Sequence, residues 1–284
     1  MKNYILVTII YSALSVTWNT ESVAKERQPI RRIDHDRLAI SEIIVDRKNR
    51  KIYIPVEVNQ TEGILEYLAV ASQGKRHESL LLLKAEPSEL HLALLLAGFE
   101  PSSNKQSVRS TKGIDPSLVQ AQLQWTDSFT GRVQLLPLSA WIYDRGEKVI
   151  PPPFPLRFIG SQQSAKGYTA DLERSVIGLV PDSSVVLTTT LLTGNPYRGD
   201  HLGYEVAEHM VLPKGTSLSL ILQPALKINE SAIKLYQAKI QHRQSTLEYN
   251  KLIDRLNQPY PSPPPFEIRG SLTPSSALFY RELN

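Results

Sequence analysis

The chain is organised around GILEYLAVASQGKRHESLLLLKAEPSELHLALLLAGFEP, residues 63–101. It begins with two apolar runs, Ile64–Val70 and Leu80–Leu83, each of a length and composition typical of a buried strand. Gly74 and Lys75 lie between the runs, and the simplest interpretation of this pair is a hairpin turn. The first half of the stretch therefore predicts two neighbouring strands.

The second half of the stretch predicts a short helix. Pro87 stands near its start and Gly98 just past its end, which is the usual asymmetry of helix ends. Nearly every position from Leu90 to Ala97 is apolar, and a helix that is apolar on all sides is expected to be buried. We therefore expect this helix at the centre of the fold.

Most of the remaining chain has the pattern of a β-sheet protein. Apolar and polar residues alternate in short segments separated by turn residues, which favours half-buried antiparallel strands. The predicted strands are 43–45, 52–58, 119–125, 136–142, 156–159, 185–193 and 218–222. Pro55 lacks an amide donor, so its strand is expected either to lie at a sheet edge or to be irregular at this residue. The predicted fold class is α+β, a mainly antiparallel β-sheet body with one short buried helix and a long C-terminal helix.

The long C-terminal helix is expected over residues 229–257, with Asn229 as its cap. At about 100° per residue, its apolar residues form two stripes on roughly opposite sides. The first stripe is Ile233, Tyr236, Ile240 and Leu247, and the second is Tyr249, Leu252, Ile253 and Leu256. Two interpretations stay open: the second stripe binds a protein partner, or the helix lies between two parts of the same chain.

The N-terminus has the layout of a secretory signal peptide. Lys2 is followed by the apolar stretch Tyr4–Val16, which is too short to span a bilayer comfortably, and then by the small residues of a cleavage site at Ser22–Ala24. Residues 1–24 are therefore predicted to be removed on export to the periplasm or the extracellular space. An uncleaved membrane anchor is the alternative. After removal of the signal, we expect no segment that spans a membrane.

These features divide the chain into four parts. The signal peptide, 1–24, precedes a β-rich domain at 33–226, a long helix at 227–258 and a Pro-rich flexible tail at 259–284. The tail begins with PYPSPPP, which ends the helix, and it contains few apolar residues.

Composition excludes several classes of function. The chain has no cysteine, which rules out disulfides, a thiol nucleophile, cysteine-ligated zinc and iron–sulfur clusters. The formal net charge is +4, and basic residues lie mostly beside acidic ones rather than in a stripe with interleaved aromatic residues. We therefore expect no nucleic-acid partner. The sequence contains no Gly-rich phosphate loop, G-x-S-x-G elbow or H-E-x-x-H motif.

The only dense cluster of reactive residue types is Lys75, His77, Glu78 and Ser79. His77 could act as a base, or could ligate a metal with His91 if the fold brings the two together. In the favoured interpretation, His77 and Glu78 cap or flank the strand that follows the Gly74–Lys75 turn, and His91 is a core residue with hydrogen-bonded nitrogens. The sequence predicts neither a metal nor another cofactor.

A second group of candidate ligands surrounds Asp200. His201, Glu205, Glu208 and His209 would share one face of a helix. A nearby glycine and proline favour strand and turn instead, where these side chains would scatter over both faces. Asp200 stays a candidate binding residue, and no metal site is predicted there.

Five segments resemble the YdjY-like family of exported bacterial proteins and come in the order of that family. They are IPVEVNQTEGILEYLAV at 54–70, GKRHESLLLLKAEPSELHLALLLAGFEP at 74–101, FIGS at 158–161, YTADLERSVIGLV at 168–180 and LPKGTSLSLILQP at 212–224. The resemblance covers roughly residues 40–225 and implies an exported domain with no reaction attached to it. Some members carry an iron–sulfur label, which the absence of cysteine rejects for this chain.

Two hypotheses about function follow. The first is an exported, non-catalytic binding or interaction domain, with a protein partner on helix 229–257. It rests on the missing catalytic motifs and on the two-sided helix. The second is a metal- or acid/base-dependent enzyme built around His77, Glu78 and Ser79.

Overall fold

The computed structural model describes residues 30–102, 115–191, 196, 203–225 and 230–256. The predictions for residues 1–24 and 259–284, and for Asp200, lie outside these residues. The strands are β1 (Arg31–Arg32), β2 (Arg37–Ile40), β3 (Ile43–Asp46), β4 (Lys51–Val58), β5 (Ile64–Leu65), β6 (Tyr67–Ala71), β7 (Ser79–Leu83), β8 (Leu118–Thr126), β9 (Val133–Pro137), β10 (Ile142–Asp144), β11 (Leu156–Phe158), β12 (Gln163–Ser164), β13 (Gly167–Tyr168), β14 (Ser175–Gly178), β15 (Leu187–Thr189), β16 (Tyr204–Val206) and β17 (Ser217–Pro224). The α-helices are α1 (Pro87–Leu96), α2 (Thr169–Glu173) and α3 (Glu230–Leu256), and 3-10 helices cover Arg76–Glu78 and Leu138–Trp141.

The body of the protein is a closed barrel of eight strands. Around the ring they follow in the order β4, β17, β8, β11, β15, β14, β6 and β7, and β7 pairs with β4 to close it. Six neighbouring pairs are antiparallel, whereas β14–β15 and β6–β7 are parallel. The predicted β-rich, mainly antiparallel body is therefore confirmed, and its strands close on themselves.

Alternate side chains of the strands fill the barrel interior. On β4, Ile52, Ile54, Val56 and Val58 are fully buried, and the residues between them are partly exposed. A barrel of eight strands has an interior just wide enough for side chains to fill. The interior is therefore a packed core, to which β8 and β17 contribute in the same alternating way.

Pro55 lies within the barrel wall, so of the two alternatives predicted for its strand, an edge position and a local irregularity, the edge position is wrong. On one side, β4 pairs with β17 from Ile52 to Glu57. On the other side, its pairing with β3 ends at Tyr53 and its pairing with β7 begins at Val56. Pro55 falls in the gap between β3 and β7, where a missing amide hydrogen breaks no ladder on that side.

Two pairs of parallel strands are joined by unusually short connections. Strands β6 and β7 are parallel although only residues 72–78 join them, and β14 and β15 are parallel across residues 179–186. Parallel neighbours ordinarily need a crossover of roughly a dozen residues or more. The hairpin expected at Gly74 and Lys75 is therefore wrong, because the chain must run back past β6 before it enters β7.

Helix α1 begins and ends as the sequence predicts. Pro87 is its first residue, and Gly98, just past its end, has a φ of +80°, which favours glycine. Arg50, in the turn between β3 and β4, donates from Nε to the carbonyl oxygen of Ala97 at 3.2 Å, and its guanidinium lies over the ring of Phe99. These contacts hold the C-terminal end of α1 against the β3–β4 hairpin.

The prediction that α1 is buried on all sides at the centre of the fold is wrong. Leu90, Ala93 and Leu94 are fully buried, but Leu92 is 37% exposed and Leu95 is 44% exposed. The three buried residues belong to the same core cluster as the strand side chains, so α1 packs against the body with one face only. The helix therefore presents leucines to solvent, where a surface helix ordinarily carries polar residues.

Helix α3 packs against the body with its first half. Ile233, Tyr236 and Ile240 are buried. The hydroxyl of Tyr236 donates to the buried carboxylate of Asp144 on β10 and lies 3.3 Å from the hydroxyl of Tyr204 on β16. Tyr236, from the first of the two predicted stripes, thus contacts the small sheet formed by β10, β16 and β5.

The second half of α3 carries exposed apolar residues, including Tyr249 and Leu252. The protein partner predicted for this half stays a prediction. None of the helices in the described part of the chain is long and apolar enough to cross a membrane.

Candidate functional site

Helix α1 and a segment much later in the sequence form an open cavity of about 410 Å³. Helix α1 contributes Ser88 and His91, the segment after β11 contributes residues 160–162, β12 contributes Gln163, and β13 contributes Tyr168. None of these side chains is charged when the imidazole of His91 is neutral. The cavity is therefore lined by groups that can both donate and accept hydrogen bonds.

His91 and Tyr168 are joined by a hydrogen bond of 2.8 Å between Nδ1 and Oη. The Tyr168 hydroxyl also donates to the carbonyl oxygen of Gly160 at 2.9 Å, and that oxygen can only accept. Because Tyr168 has one hydroxyl proton and gives it to Gly160, its oxygen accepts from Nδ1–H of His91. This network assigns the Nδ1–H tautomer to neutral His91 and leaves a lone pair on Nε2.

The surroundings of His91 favour this neutral form. Burial lowers the pKa of His91, and the neighbouring Gly160 carbonyl opposes the effect only in part. The ring of Phe158 meets the imidazole edge-on, with 5.1 Å between ring centroids, and makes one side of it apolar. Burial likewise raises the pKa of Tyr168. Both rings are therefore neutral at pH 7, and Nε2 of His91 is suited to accept a hydrogen bond.

The backbone beside His91 has an uncommon conformation. Gly160 has a φ of +79° and Ser161 a φ of +58°, and residues other than glycine rarely adopt positive φ values. A Cβ at Gly160 would lie 3.2 Å from Cε1 of His91 and 3.2 Å from Cβ of Pro101. Ser161 is held in place by Oγ, which donates to the carbonyl oxygen of Ser184 at 2.6 Å. Such conformations cluster at functional sites, because the surrounding structure must hold them in place.

Contacts with α2 anchor the first turn of α1. The backbone N–H of Ser88 donates to Oδ1 of Asp171 at 2.8 Å. The guanidinium of Arg174, at the C-terminal end of α2, forms an ion pair with Glu86 at the N-terminal end of α1. These two contacts fix the position of Ser88 relative to Tyr168, which immediately precedes α2.

Lys75 lies elsewhere, in the connection between β6 and β7. Its Nζ donates to Oη of Tyr67 at 2.8 Å, and that hydroxyl donates to Oδ2 of Asp182 at 2.7 Å. Asp182 belongs to the connection between β14 and β15. Burial raises the pKa of Tyr67 to about 12, and the hydrogen bond with Tyr67 raises the pKa of Lys75. Lys75 therefore links the β6–β7 connection to the β14–β15 connection through a buried tyrosine.

The neighbours of Lys75 have different surroundings. His77 is exposed, and its Nε2 lies 3.5 Å from Oε2 of Glu78, whose side chain is largely buried. Glu78 also influences Glu66. The pKa of Glu66 is raised mainly by burial and, to a smaller extent, by the negative charge of Glu78. Ser79 is fully buried, and its hydroxyl donates to the carbonyl oxygen of Leu81 at 3.0 Å. His77 and Glu78 are thus in contact, whereas Ser79 bonds to its own strand.

One of the residues singled out from the sequence, His91, lines the cavity. The others lie elsewhere. Lys75, His77 and Glu78 belong to the connection between β6 and β7, and Ser79 is the first residue of β7. Glu205 lies on β16, with Glu208 and His209 in the turn that follows, whereas Asp200 and His201 lie outside the described residues. Within the described residues, no group of three histidine, aspartate or glutamate side chains is placed to hold a metal ion.

Sequence reasoning misses Ser88, Gly160, Ser161 and Tyr168 as site residues. Three of them lie in the strings FIGS and YTADLERSVIGLV, which carry the family resemblance. Their residue types are not those of a recognised catalytic motif. Their position in strings that resemble the family, in the order of that family, is the one sequence signal that could have identified them as site residues.

Neither the curated proteins nor the solved structures include a match to this chain. A family model described as the YdjY domain matches residues 43–217. That range contains α1, the segment after β11 and Tyr168, and so the whole lining of the cavity. It also covers more than half of the chain, and the protein therefore belongs to the family defined by the YdjY domain.

Proposed function

We propose that the protein is an exported binding domain whose cavity at His91 and Tyr168 takes a neutral saccharide. The observation that carries this proposal is the hydrogen-bond chain from His91 through Tyr168 to the Gly160 carbonyl. The chain fixes one tautomer of a neutral imidazole and so holds an acceptor ready for a ligand hydroxyl. A site held in its binding conformation before the ligand arrives loses less entropy on binding.

The other lining groups support a saccharide over an ionic ligand. Gln162 and Gln163 supply amides and Ser88 a hydroxyl, and each of these groups donates as well as accepts. Sugar hydroxyls have the same double capacity, whereas a carboxylate or phosphate ligand calls for a cationic partner. The volume of about 410 Å³ falls within the range of small-ligand sites, roughly 300–1,000 Å³.

Calorimetric titration with methyl glycosides tests this proposal. The panel comprises the common neutral hexoses and N-acetylhexosamines, added to the wild-type chain, to His91→Ala and to His35→Ala. His35 is a matched control because its side chain is 88% exposed. Loss of the His91 acceptor is expected to weaken binding about tenfold or more, while His35→Ala binds as the wild type does. Failure of every glycoside to bind, or equal binding by His91→Ala, would contradict the proposal.

Binding at this cavity is preferred to catalysis at the His77-Glu78-Ser79 block. The buried hydroxyl of Ser79 is committed to the Leu81 carbonyl, and Lys75 is committed to Tyr67. The enzyme hypothesis is tested separately, by elemental analysis of bound metal in the purified wild-type chain and in His77→Ala. A stoichiometric metal that is lost in the variant would favour the enzyme.

Export is part of the proposal, and it rests on the signal pattern of residues 1–24. Expression of the complete chain in a bacterium, followed by intact mass measurement of each cell fraction, tests it. The expected product lacks residues 1–24, begins near Lys25 and is found outside the cytoplasm. A full-length product that stays in the cytoplasm would contradict export.

A further inference from the structure

The outer face of α1 continues from the cavity as an apolar strip. Ser88, His91, Leu92 and Leu95 follow the spacing that places residues on one side of a helix. The first two line the cavity, and the two leucines are the partly exposed residues of the same helix face. The polar cavity and the apolar strip are therefore neighbouring parts of one surface.

The two leucines are not required by the core. The opposite face of α1, with Leu90, Ala93 and Leu94, already makes the contact with the body. Polar residues at positions 92 and 95 would avoid leaving apolar surface in water. Leucines that face solvent beside a polar cavity are explained when a ligand that occupies the cavity also covers them.

The size of the strip decides what kind of occupant fits. Three residues of helix separate Leu92 from Leu95, a rise of about 4.5 Å, and the face from Ser88 to Leu95 extends about 10 Å. A stable protein interface buries about 800 Å² on each partner, far more than two leucine side chains offer. The strip matches instead the apolar group of a small molecule whose polar end lies in the cavity.

We propose that the ligand is an amphiphilic glycoside, with its sugar in the cavity at His91 and a short alkyl or aryl aglycone over Leu92 and Leu95. This inference rests on the proposed saccharide function and adds the class of aglycone to it. The aglycone gains affinity because it removes its own apolar surface and that of the leucines from water. Full burial of one CH₂ group strengthens binding about fourfold, so a partly covered chain is expected to gain about twofold per CH₂.

Titration with two series of n-alkyl glycosides tests the inference. The β-D-glucosides and the N-acetyl-β-D-glucosaminides, from methyl to octyl, are added below their critical micelle concentrations. The proteins are the wild-type chain, the double variant Leu92→Ser/Leu95→Ser and the control Leu252→Ser. Leu252 is a matched control because it is an exposed leucine on a different helix, α3. Thermal unfolding of each variant checks that the fold is retained.

We expect affinity to rise with chain length and then level off in the wild type and in Leu252→Ser. In Leu92→Ser/Leu95→Ser, the methyl glycoside is expected to bind as before, while the rise with chain length is lost. Binding of methyl glycosides with no rise in the wild type, or an equal rise in the double variant, would overturn this inference and leave the proposed function standing. Failure of both complete series to bind would overturn this inference, and failure of the whole methyl glycoside panel as well would overturn the proposed function.

Discussion

Nδ1 of His91 lies 2.8 Å from the hydroxyl oxygen of Tyr168, although the two residues stand 77 positions apart in the sequence. The contact joins the outer face of α1 to the strand that precedes α2. It also determines which imidazole nitrogen carries the proton, because the Tyr168 hydroxyl donates its own hydrogen to the carbonyl oxygen of Gly160. The acceptor at Nε2 is thus a product of the tertiary fold.

Removal of the Tyr168 hydroxyl is expected to destabilise the protein. Tyr168→Phe leaves Nδ1–H of His91 and the carbonyl oxygen of Gly160 without this partner, at a cost of about 1–3 kcal/mol. Urea unfolding measures the change. Tyr249→Phe is the control, because Tyr249 is exposed on α3 and should change stability by less than about 0.5 kcal/mol. Equal stability of the two variants would contradict the hydrogen-bond network.

Protonation of His91 is expected to make stability depend on pH. Its pKa in the folded state lies below the ordinary value of 6.5, so the unfolded chain binds the proton more readily. The contribution is complete above about pH 6.5 and declines as the pH falls through the interval between the unfolded and folded pKa values. Urea unfolding between pH 7.5 and 5.5 should show a smaller decline in His91→Gln than in the wild type. A decline of the same size in both would contradict the neutral imidazole, and His35→Ala serves as the control.

The tight connection between β6 and β7 depends on Gly74. A Cβ at this position would lie 2.9 Å from the carbonyl oxygen of Arg174 and 2.9 Å from Cβ of Val70, closer than such atoms approach one another. Gly74→Ala must therefore displace backbone, at an expected cost of about 1–3 kcal/mol in unfolding free energy. Ser72→Ala, at an exposed position of the same connection, should be nearly neutral. An unaffected Gly74→Ala variant would argue against the parallel crossover.

The two halves of α3 are expected to contribute unequally to stability. Ile240 is 1% exposed, so Ile240→Ala should cost about 2–4 kcal/mol through lost burial and the cavity left behind. Leu252, in the second half, is exposed, and Leu252→Ala should cost less than about 0.5 kcal/mol. Thermal unfolding of the two variants compares them directly. Similar costs at both positions would contradict docking by the first half alone.

Local sequence predicts many of the elements because their signals are local. The alternation of Ile52, Ile54, Val56 and Val58 gives β4, and the Pro–Gly asymmetry gives the ends of α1. Strand pairing is not encoded in this way. The residues around Gly74 suit a hairpin turn as well as a tight crossover, and the parallel pairing of β6 with β7 shows that the crossover is formed.

The burial of α1 shows that the composition of a helix does not by itself predict how much of the helix is buried. Leucine on every side of a helix suggests burial, yet only one side of α1 meets the body. Which side of the helix is covered depends on how helix and strands pack together, and no local pattern reveals that. The candidate site follows the same rule: His91 is visible as a reactive residue type, while its partner Tyr168 is an ordinary aromatic residue until the fold brings them together.

Chemical-shift mapping of a bound methyl glycoside on the complete chain locates the binding site residue by residue. If the cavity beside α1 is the binding site, the backbone amides of Ser88, His91, Ser161 and Tyr168 shift on titration, and the amides of the β6–β7 connection stay in place. Shifts confined to the connection around Lys75 and His77, or no shifts with any glycoside of the panel, would contradict it.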